Sequence, residues 1–265
     1  IGELLNAGLL HPDTRTVAGE GLVLYTQEPK LSEGRVAYAK GSGETLNDKI
    51  LRPVSDPFQK TGGLRQLSGN IGRAVIKTSA VAPERHVIEA KARVFHDQES
   101  VKTAFRNDEF KDDTIVIVRY QGPKSNGMPE LHNLTPTLAV LQDRGLKVAL
   151  VTDGRMSGAS GKVPASIHMS PEALDGGPLA KLRDGDVVRL DANAGTLEAK
   201  VDAATWAERE LVVANLDHYH VGLGRELFSG FRHLAMRGEE GAGSLGGFEA
   251  DDLARQEGQI FQEDA

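Results

Sequence analysis

Two short apolar runs constrain the fold of this chain more than any other feature. Residues 114–120 read TIVIVRY and residues 147–152 read KVALVT, and a helical pattern over 131–144 lies between them. Runs that are apolar at nearly every position are typical of parallel strands buried on both faces, and parallel neighbours need a long crossover connection such as a helix. The sequence therefore predicts a βαβ unit at the centre of the fold.

Shorter patterns surround this unit. Strands are predicted at 21–25, 36–39 and 87–95, helices at 98–106, 204–210 and 225–236, a hairpin at 187–190 and 196–201, and a hairpin or bulge within the glycine-rich basic range 62–81. The hairpin turns at residues 193–195, which end in glycine. The balance predicts a β-rich α/β fold, closer to a barrel-like sheet with flanking helices than to a doubly wound sheet.

Composition excludes several classes of function. The formal net charge of −7 argues against a general nucleic-acid binder, which needs a basic surface. No apolar stretch approaches the roughly 18 to 20 residues that span a bilayer, so we expect no membrane segment and a cytoplasmic location. The chain has no cysteine, which excludes disulfides, thiolate nucleophiles and any cluster ligated by cysteines of these residues.

The two apolar runs are each followed by a polar, glycine-rich loop. These loops are QGPKSNGMPE, residues 121–130, and DGRMSGASGK, residues 153–162. In open α/β sheets ligands collect at the carboxyl ends of strands, so both loops are candidates for the walls of one site.

The second loop fails the motifs that it superficially resembles. A Walker A loop needs a glycine where Met156 stands and a hydroxyl residue where Val163 stands. Neither serine of the loop has glycines at both positions that a nucleophile elbow requires. A Rossmann fingerprint is also absent. The loop is therefore not identified by a standard nucleotide or hydrolase signature.

What remains in the second loop is a set of polar side chains among glycines. The set comprises Asp153, Arg155, Ser157, Ser160 and Lys162. Arginine and lysine bind carboxylate or phosphate, glycines let backbone N–H groups approach a ligand, and a serine can take part in proton transfer. A polar turn with charges for solubility explains the same composition, and the residues alone leave both interpretations open.

The first loop supplies a carboxylate, Glu130, directly after Pro129. A carboxylate at a helix start is commonly a favourable charge against the helix dipole. The alternative is a ligand for a hard divalent cation, because magnesium sites use one or two carboxylates together with substrate oxygens. His132 and His168 have the intrinsic pKa of a general base, although a single histidine is more often simply packed or solvated.

Three segments together resemble a known family. LSGNIGRAVIKTSAV, QGPKSNGMPELH and ALVTDGRMSGASGKVPASIHMSPEA are similar to the C-terminal half of the dihydroxy-acid dehydratase and 6-phosphogluconate dehydratase family. SGASGKVP and LLHPDTRTVAG resemble its 6-phosphogluconate branch. The likeness covers the chain from its first residue to about residue 245. It implies a barrel-like, swivelling β/β/α domain that closes over an N-terminal domain.

The resemblance implies an activity and its cofactors. The expected reaction is dehydration of 6-phospho-D-gluconate to 2-dehydro-3-deoxy-6-phosphogluconate, the first step particular to the Entner–Doudoroff pathway. The expected cofactors are an iron–sulfur cluster of the 4Fe–4S type, acting as Lewis acid on the departing 3-hydroxyl, and a divalent cation, Mg²⁺. The expected assembly is a homodimer that binds no nucleic acid and no membrane.

The resemblance also implies roles for individual residues. Ser157 lies where the family has its proposed serine base, and Glu130 matches the family's cation-binding glutamate. Arg155, Ser160 and Lys162 are then candidates to bind oxyanions of the substrate. Asp153 is expected to orient its loop rather than to react.

The chain differs from the family pattern in ways that affect the predicted domains. We expect residues 1–18 to be a connector from a missing cluster-binding domain, 19–237 to form the dehydratase domain, and 238–265 to form a glycine-rich acidic tail. Gly243 stands near a position where related chains can carry a cysteine. Without cysteines, these residues alone should show no dehydratase activity.

Two alternatives stay open at this point. One is a dihydroxy-acid or sugar-acid dehydratase of the same family, which would share the fold and the chemistry. The other is a non-catalytic module that holds a sugar acid or a partner domain.

Overall fold

The structure is a computed structural model that describes residues 1–43, 45–157 and 162–246. The chain divides into two compact units, residues 1–62 and residues 63–265. The boundary between them falls inside the range 19–237 that the sequence predicts as one domain. Each unit is described separately below.

The first unit is small and carries little core. Its elements are helix α1 (Gly2–Asn6), strands β1 (Arg15–Thr16), β2 (Gly19–Glu20), β3 (Gln27–Ser32) and β4 (Arg35–Lys40), and a 3₁₀ turn over Leu22–Thr26. Strands β3 and β4 form an antiparallel hairpin. None of the described residues of this unit is buried.

The strand predicted at 21–25 is wrong, whereas the strand predicted at 36–39 is confirmed as β4. The apolar run after Gly21 forms the 3₁₀ turn instead, and the Thr26 hydroxyl closes it by donating to Val23 O at 2.7 Å. The β-branched and aromatic composition of this run therefore did not decide its structure, because a strand also needs a neighbour with which to pair.

The second unit is built on a closed barrel of eight strands. These are β5 (Leu64–Gly69), β6 (Gly72–Lys77), β7 (Val87–Phe95), β8 (Thr114–Val118), β9 (Val148–Thr152), β10 (Ala165–Ser170), β11 (Val187–Asp191) and β12 (Thr196–Ala199). The order around the barrel is β10-β6-β5-β12-β11-β7-β8-β9. The prediction of a β-rich, barrel-like α/β fold is confirmed.

Four neighbouring strands of the barrel run in the same direction. Strand β7 pairs parallel to β8, β8 pairs parallel to β9, and β9 pairs parallel to β10. Strands β5 and β6 form one antiparallel hairpin, and β11 and β12 form another. The two hairpins meet where β12 pairs parallel to β5. The carboxyl ends of β7, β8, β9 and β10 therefore open onto one end of the barrel.

Alternate residues of the central strands face two different cores. Ile115 and Ile117 of β8 belong to the cluster that fills the barrel, while Val116 and Val118 belong to the cluster outside it. All five residues of β8 are buried. The unbroken apolar runs of the sequence have this cause, since each strand is covered on both faces.

Helices of the second unit lie between and after the strands. They are α2 (Gln98–Arg106), α3 (Pro123–Asn126), α4 (Leu134–Asp143), α5 (Ala203–Glu208), α6 (Asp217–His220) and α7 (Ser229–Leu234), with 3₁₀ turns over Pro83–Arg85, Ala173–Asp175, Pro178–Lys181, Arg225–Phe228 and Gly238–Glu240. Helices α2 and α4 pack against the outside of β8 and β9. In the described ranges, no helix has the length and apolar character needed to cross a membrane.

Helix α2 agrees with its sequence prediction at both ends. Asp97 lies at the N-cap and accepts a hydrogen bond from Ser100 N at 2.7 Å, which satisfies one of the unpaired N–H groups of the first turn. Glu99 in the first turn and Arg106 in the last turn both complement the helix dipole. The cap and the terminal charges of this helix can therefore be identified from the sequence alone.

Two other elements differ from the sequence prediction. Strand β10 is not among the predicted strands, although its residues, ASIHMS, alternate between apolar and polar. In the structure His168 has a φ of 56°, and the pairing register shifts between Ile167 and Ser170. The helix predicted over 225–236 is shorter, with a 3₁₀ turn followed by α7. Strand β10 pairs with β6 and β9, and the last helical segment is divided into two short elements.

Candidate functional site

The loops that follow the four parallel strands converge at one end of the barrel. Asp153, the first residue after β9, is 1% exposed and joins three of these segments. Its carboxylate accepts hydrogen bonds from Tyr120 N at 3.0 Å, from Gln121 N at 2.9 Å and from Ala173 N at 2.9 Å. The loops after β8, β9 and β10 are therefore held by a single side chain, which agrees with the expectation that Asp153 orients its loop.

The bonds to Asp153 also support an unfavourable backbone conformation. Tyr120 has a φ of 64°, in the left-handed region that is costly for a large side chain. Burial raises the pKa of Asp153, and the backbone N–H donors act in the opposite direction by favouring its ionised form. The sharp turn after β8 thus depends on a carboxylate that comes from the neighbouring strand.

A second buried carboxylate, Glu172, lies under the loop that follows β8. Its Oε1 accepts from Lys124 N at 2.7 Å, and its Oε2 accepts from Ser125 Oγ at 2.9 Å. A Cβ added at Gly122 would lie 1.7 Å from Glu172 Oε2, so only glycine permits this approach. Burial, together with the charge of Asp153, raises the pKa of Glu172 to about 7.

The two predicted walls meet at Glu130. Glu130 and Arg155 form an isolated parallel β-bridge, and Leu131 N donates to Arg155 O at 3.1 Å. Glu130 Oε1 accepts from Ser157 N at 2.8 Å and from His132 N at 3.1 Å. Glu130 Oε2 lies 3.3 Å from a guanidinium nitrogen of Arg155. The structure therefore brings Glu130, Arg155 and Ser157 together in one corner.

The ion pair in this corner is open to solvent. The Arg155 side chain is 52% exposed and the Glu130 side chain is 37% exposed. Ion pairs this exposed contribute at most about 1 kcal/mol because water screens them. Arg155 can therefore exchange its carboxylate partner for an oxyanion of a ligand at little cost.

The other predicted site residues lie around this corner to different extents. Lys162 is exposed, and Ser160 lies outside the described residues. His132, two residues after Glu130, is exposed. His168 is half-buried, and its N–H donates to Gly154 O at 2.9 Å. Burial and the charge of Arg155 lower the pKa of His168, so its imidazole is neutral near pH 7.

A buried arginine braces the same end of the barrel. Arg119 follows β8, is 4% exposed, and donates to Ala180 O and Leu182 O at 3.1 Å each. Its guanidinium also lies 3.2 Å from His96 Nε2. Burial and the charge of Arg119 lower the pKa of His96, which leaves the ring nitrogen able to accept.

Metal-binding groups are sparse in this site. Within residues 1–43, 45–157 and 162–246, no three His, Cys, Asp or Glu side chains are grouped as ligands of one ion. Glu130 is a suitable donor type for a hard cation, but its two oxygens already contact Ser157 N, His132 N and Arg155. Glu130 can therefore provide one ligand and not a complete site.

Residues near the C-terminal end of the described chain are fixed to the site. Asp175 accepts from Lys124 Nζ at 2.6 Å and from Arg237 Nε at 2.8 Å. Glu239 receives two hydrogen bonds from Arg73 of β6, at 2.7 and 2.6 Å. The described part of the predicted tail, residues 238–246, thus begins with a turn that is ion-paired to the barrel.

A cleft of about 550 Å³ opens beside Glu130. Met128 and Arg155 form one wall, and residues from α6 through Ser244 form the other. Arg155 belongs to both this wall and the corner with Glu130 and Ser157, and its Nε donates to Met128 O at 2.7 Å. Ligand sites commonly have volumes of roughly 300 to 1,000 Å³, and this cleft is within that range.

Several residues of the site were not found from the sequence. Glu172 and Arg119 are buried only because distant loops cover them, and no spacing in the sequence indicates this burial. Arg225 and Arg232 line the cleft, although they lie in a segment that the sequence shows only as helical. Gly122 was the one available signal, since a glycine after a buried strand can mark a close approach.

Comparison with known proteins shows which family the chain belongs to. A family model described as "Dihydroxy-acid/6-phosphogluconate dehydratase C-terminal" matches residues 49–242. The matched range includes the complete barrel together with both loops of the Glu130 corner.

Curated relatives match nearly the whole chain. The chain is 57% identical over 92% of its length to a phosphogluconate dehydratase of Pseudomonas aeruginosa and 54% identical over 91% to one of Zymomonas mobilis. A dihydroxy-acid dehydratase of Sulfurisphaera tokodaii is 40% identical over 74% of the chain. The chain spans about 40% of the length of the first two relatives and 33% of the third.

Glu172 should make the stability of the fold depend on pH. Its pKa is raised from 4.5 to about 7, so the folded state retains a proton that the unfolded chain releases. The stability from this proton is full below about pH 4.5 and is lost as the pH rises through about 7. Wild type loses this contribution as the pH rises from about 4.5 to about 7, whereas Glu172→Gln has no such proton to lose. The unfolding free energy of Glu172→Gln minus that of wild type should therefore increase over this pH range by up to about 3 kcal/mol.

Chemical denaturation at a series of pH values measures this difference. The matched control is Glu84→Gln, which alters an exposed glutamate outside the converging loops. Parallel stability curves for wild type and Glu172→Gln from about pH 4 to pH 8 would contradict the assignment.

Proposed function

The chain belongs to the dihydroxy-acid/6-phosphogluconate dehydratase family, and we propose that it is the C-terminal part of an enzyme that dehydrates 6-phospho-D-gluconate. The product is 2-dehydro-3-deoxy-6-phospho-D-gluconate, and the enzyme is a hydro-lyase of the Entner–Doudoroff pathway. The observation that carries this proposal is the meeting of Glu130, Arg155 and Ser157 in one solvent-accessible corner.

The reaction requires a base and stabilisation of negative charge. Removal of the C2 proton and of the C3 hydroxyl gives an enol, which tautomerises to the 2-oxo acid. Because C2 is adjacent to the carboxylate, charge builds up on the carboxylate oxygens as the proton leaves. Cationic side chains that face those oxygens lower the barrier most when they are already in place.

Ser157 is the base in this proposal, with Oγ as the atom that takes the C2 proton. A neutral serine is a poor base, so its hydroxyl needs cationic neighbours that favour the alkoxide. Arg155 lies two residues before Ser157 in the sequence. The backbone N–H of Ser157 donates to Glu130 Oε1 at 2.8 Å. This bond fixes the backbone of the proposed base.

Arg155 is positioned to bind the substrate carboxylate. Its Nε donates to Met128 O at 2.7 Å, and its Nη1 donates to Glu130 Oε2 at 3.3 Å. A planar guanidinium binds a carboxylate through two parallel hydrogen bonds. Lys162 and Ser160 are assigned to other oxyanions of the substrate, on the basis of their place in the same loop.

The cofactors of the reaction are only partly provided by this chain. Glu130 fits one carboxylate ligand of a divalent cation such as Mg²⁺, which would supply charge neutralisation near the substrate oxygens. An iron–sulfur cluster does not fit these 265 residues, because they contain no cysteine. The ligands of a 4Fe–4S cluster would therefore come from the remainder of the enzyme.

The remainder of the enzyme is the principal partner in this proposal. The chain's aligned part covers only 40% of each of the first two relatives, which leaves room for a cluster-binding domain. A homodimer in the cytoplasm is the expected form of the complete enzyme. By itself, the chain is expected to act as a sugar-acid-binding or assembly module without turnover.

The substrate can be tested on the full-length enzyme. Turnover of 6-phosphogluconate, gluconate and 2,3-dihydroxyisovalerate should be compared under identical conditions by measuring release of the 2-oxo acid. We expect kcat/KM to be highest for 6-phosphogluconate. Turnover of the branched substrate alone would instead assign the chain to the dihydroxy-acid branch of the family.

Replacing the base tests the assignment of Ser157. Ser157→Ala in the full-length enzyme should lower kcat by about 10²-fold or more, because the C2 proton has no acceptor. Exchange of the C2 proton with solvent deuterium, followed by NMR, should be lost in parallel. Iron content and melting temperature should stay at wild-type values.

Ser166→Ala is the matched control for this experiment. The Ser166 hydroxyl is buried in β10 and has no hydrogen-bond partner among the described residues, so its removal should leave kcat unchanged. If Ser157→Ala retains wild-type exchange at C2, serine is not the base.

Glu130→Gln tests the cation ligand. Replacing the carboxylate removes a negative ligand, so the Mg²⁺ concentration for half-maximal activity should rise by roughly 10-fold or more. The exposed glutamate of α2 offers the control variant Glu99→Gln, which should titrate like wild type. An unaltered Mg²⁺ titration for Glu130→Gln would reduce Glu130 to a structural acceptor for Ser157 N and His132 N.

A further inference from the structure

The cleft beside Glu130 is basic, although the protein as a whole is acidic. Three arginines, Arg155, Arg225 and Arg232, line the cleft, and the described residues of its lining include no aspartate or glutamate. The formal net charge of the chain is −7. A local positive charge in a cleft attracts anionic ligands even when the protein as a whole is acidic.

Two of these arginines are not used by the site described above. Among the described residues, neither Arg225 nor Arg232 forms a salt bridge, in contrast to Arg155, which pairs with Glu130. The nearby acid Glu226 interacts electrostatically with both arginines, but it forms no salt bridge with them, its Oε1 accepts from Gly222 N at 2.7 Å, and it is not part of the cleft lining. The guanidinium groups of Arg225 and Arg232 are thus available to a ligand.

Backbone contacts hold the two arginines in place. A terminal nitrogen of Arg232 donates to Arg225 O at 3.0 Å, and one of Arg225 donates to Gly222 O at 3.2 Å. Each guanidinium has five donors, so one such bond leaves most of its donors unused. Both side chains are half-buried, which reduces the screening of their charge by water.

The wall that carries these arginines is fixed to the loops of the catalytic corner. His220 Nε2 lies 2.7 Å from Ser125 O, and Gln121 Nε2 donates to the Tyr219 hydroxyl at 3.1 Å. At the other end of the wall, Arg237 binds Asp175. The distance between the arginine pair and the corner is therefore set by bonded contacts.

Aromatic side chains complete the arginine-lined wall. Phe228 and Phe231 line the cleft, with ring centroids 6.3 Å apart. Apolar surface around a charged group lowers the local dielectric and strengthens its interaction with an anion. Hydroxyl groups of Tyr219 and Ser244 in the lining add donors that a phosphate oxygen can accept from.

From this geometry we infer that Arg225 and Arg232 form a subsite for the phosphate group of a phosphorylated sugar acid. The inference rests on the proposed function and adds a division of labour to it. Arg155 binds the carboxylate end of the substrate beside Ser157, and the two further arginines bind the phosphate at the other end. A phosphomonoester carries about −1.5 to −2 charge at pH 7 and is suited to two guanidinium groups.

The subsite explains how one reaction mechanism can serve different substrates. The carboxylate and the reacting carbons are common to sugar acids and branched dihydroxy acids. Only a phosphorylated substrate brings a second anion, and only this second anion needs Arg225 and Arg232. These residues therefore determine specificity and take no part in proton transfer.

Substitution of the arginines in the full-length enzyme tests the subsite. Arg225→Gln and Arg232→Gln should each raise KM for 6-phosphogluconate by roughly 10- to 100-fold, with kcat changed less than threefold, because a charge-assisted contact to the phosphate is lost. Arg232→Lys should lie between Arg232→Gln and wild type, since it keeps the charge without the planar fork. Gluconate, which lacks the phosphate, should be turned over equally by wild type and all three variants.

A binding measurement makes the test independent of catalysis. Inorganic phosphate should bind the full-length wild-type enzyme in isothermal titration calorimetry, and its affinity should fall by at least 10-fold in Arg225→Gln and Arg232→Gln. The control is Arg106→Gln on α2, an exposed arginine outside the cleft lining that should leave both KM and phosphate affinity unchanged.

The outcomes separate the subsite from the proposed function. Unchanged KM and unchanged phosphate affinity in both variants would overturn the subsite. An equal loss of activity toward 6-phosphogluconate and gluconate would also overturn it, because the arginines would then act on the fold or on the reaction. If the wild type binds phosphate through these arginines but does not dehydrate 6-phosphogluconate, the subsite holds and the proposed function fails.

Discussion

The hydrogen bonds to the Asp153 carboxylate are the interaction on which the site depends. This carboxylate lies at the end of β9 and fixes the backbone after β8 and after β10. A single hydrogen bond to a charged group contributes about 1.5 to 3 kcal/mol, and an unpaired carboxylate in the same position would be costly. The three loops are consequently stable as a set, and neither wall of the site is positioned without the others.

A pair of buried acids supports the loops, and the charges that we propose to bind the substrate and the cation are exposed. Asp153 and Glu172 are almost fully buried and are satisfied by backbone N–H groups and one serine hydroxyl. Glu130 and Arg155 are exposed and paired mainly with each other. This division has a physical reason, because a buried, fully bonded carboxylate is rigid, whereas an exposed ion pair can be exchanged for substrate oxygens.

The site in this chain has the character of one half of a larger site. It brings together a serine, a carboxylate, several cations and a cleft, but the described residues group no three metal ligands. A site assembled from two parts can exclude water only when both parts meet, and closure then strengthens every charge interaction within it. The arginine-lined cleft fits this arrangement, because it offers the far end of an extended anion a place that the reacting groups do not occupy.

The sequence by itself determined the elements whose causes are local. Strands β8 and β9 are apolar at nearly every position because both faces are covered, and helix α2 has its own cap and terminal charges. The position of the two polar loops after parallel strands was enough to place Glu130 and Ser157 near one another. Tertiary structure decided what depends on distant contacts, namely the register shift in β10, the burial of Glu172 under Gly122, and the approach of Arg225 and Arg232 to the same cleft. No local pattern records these features, because their free energy comes from pairing and packing between residues far apart in the chain.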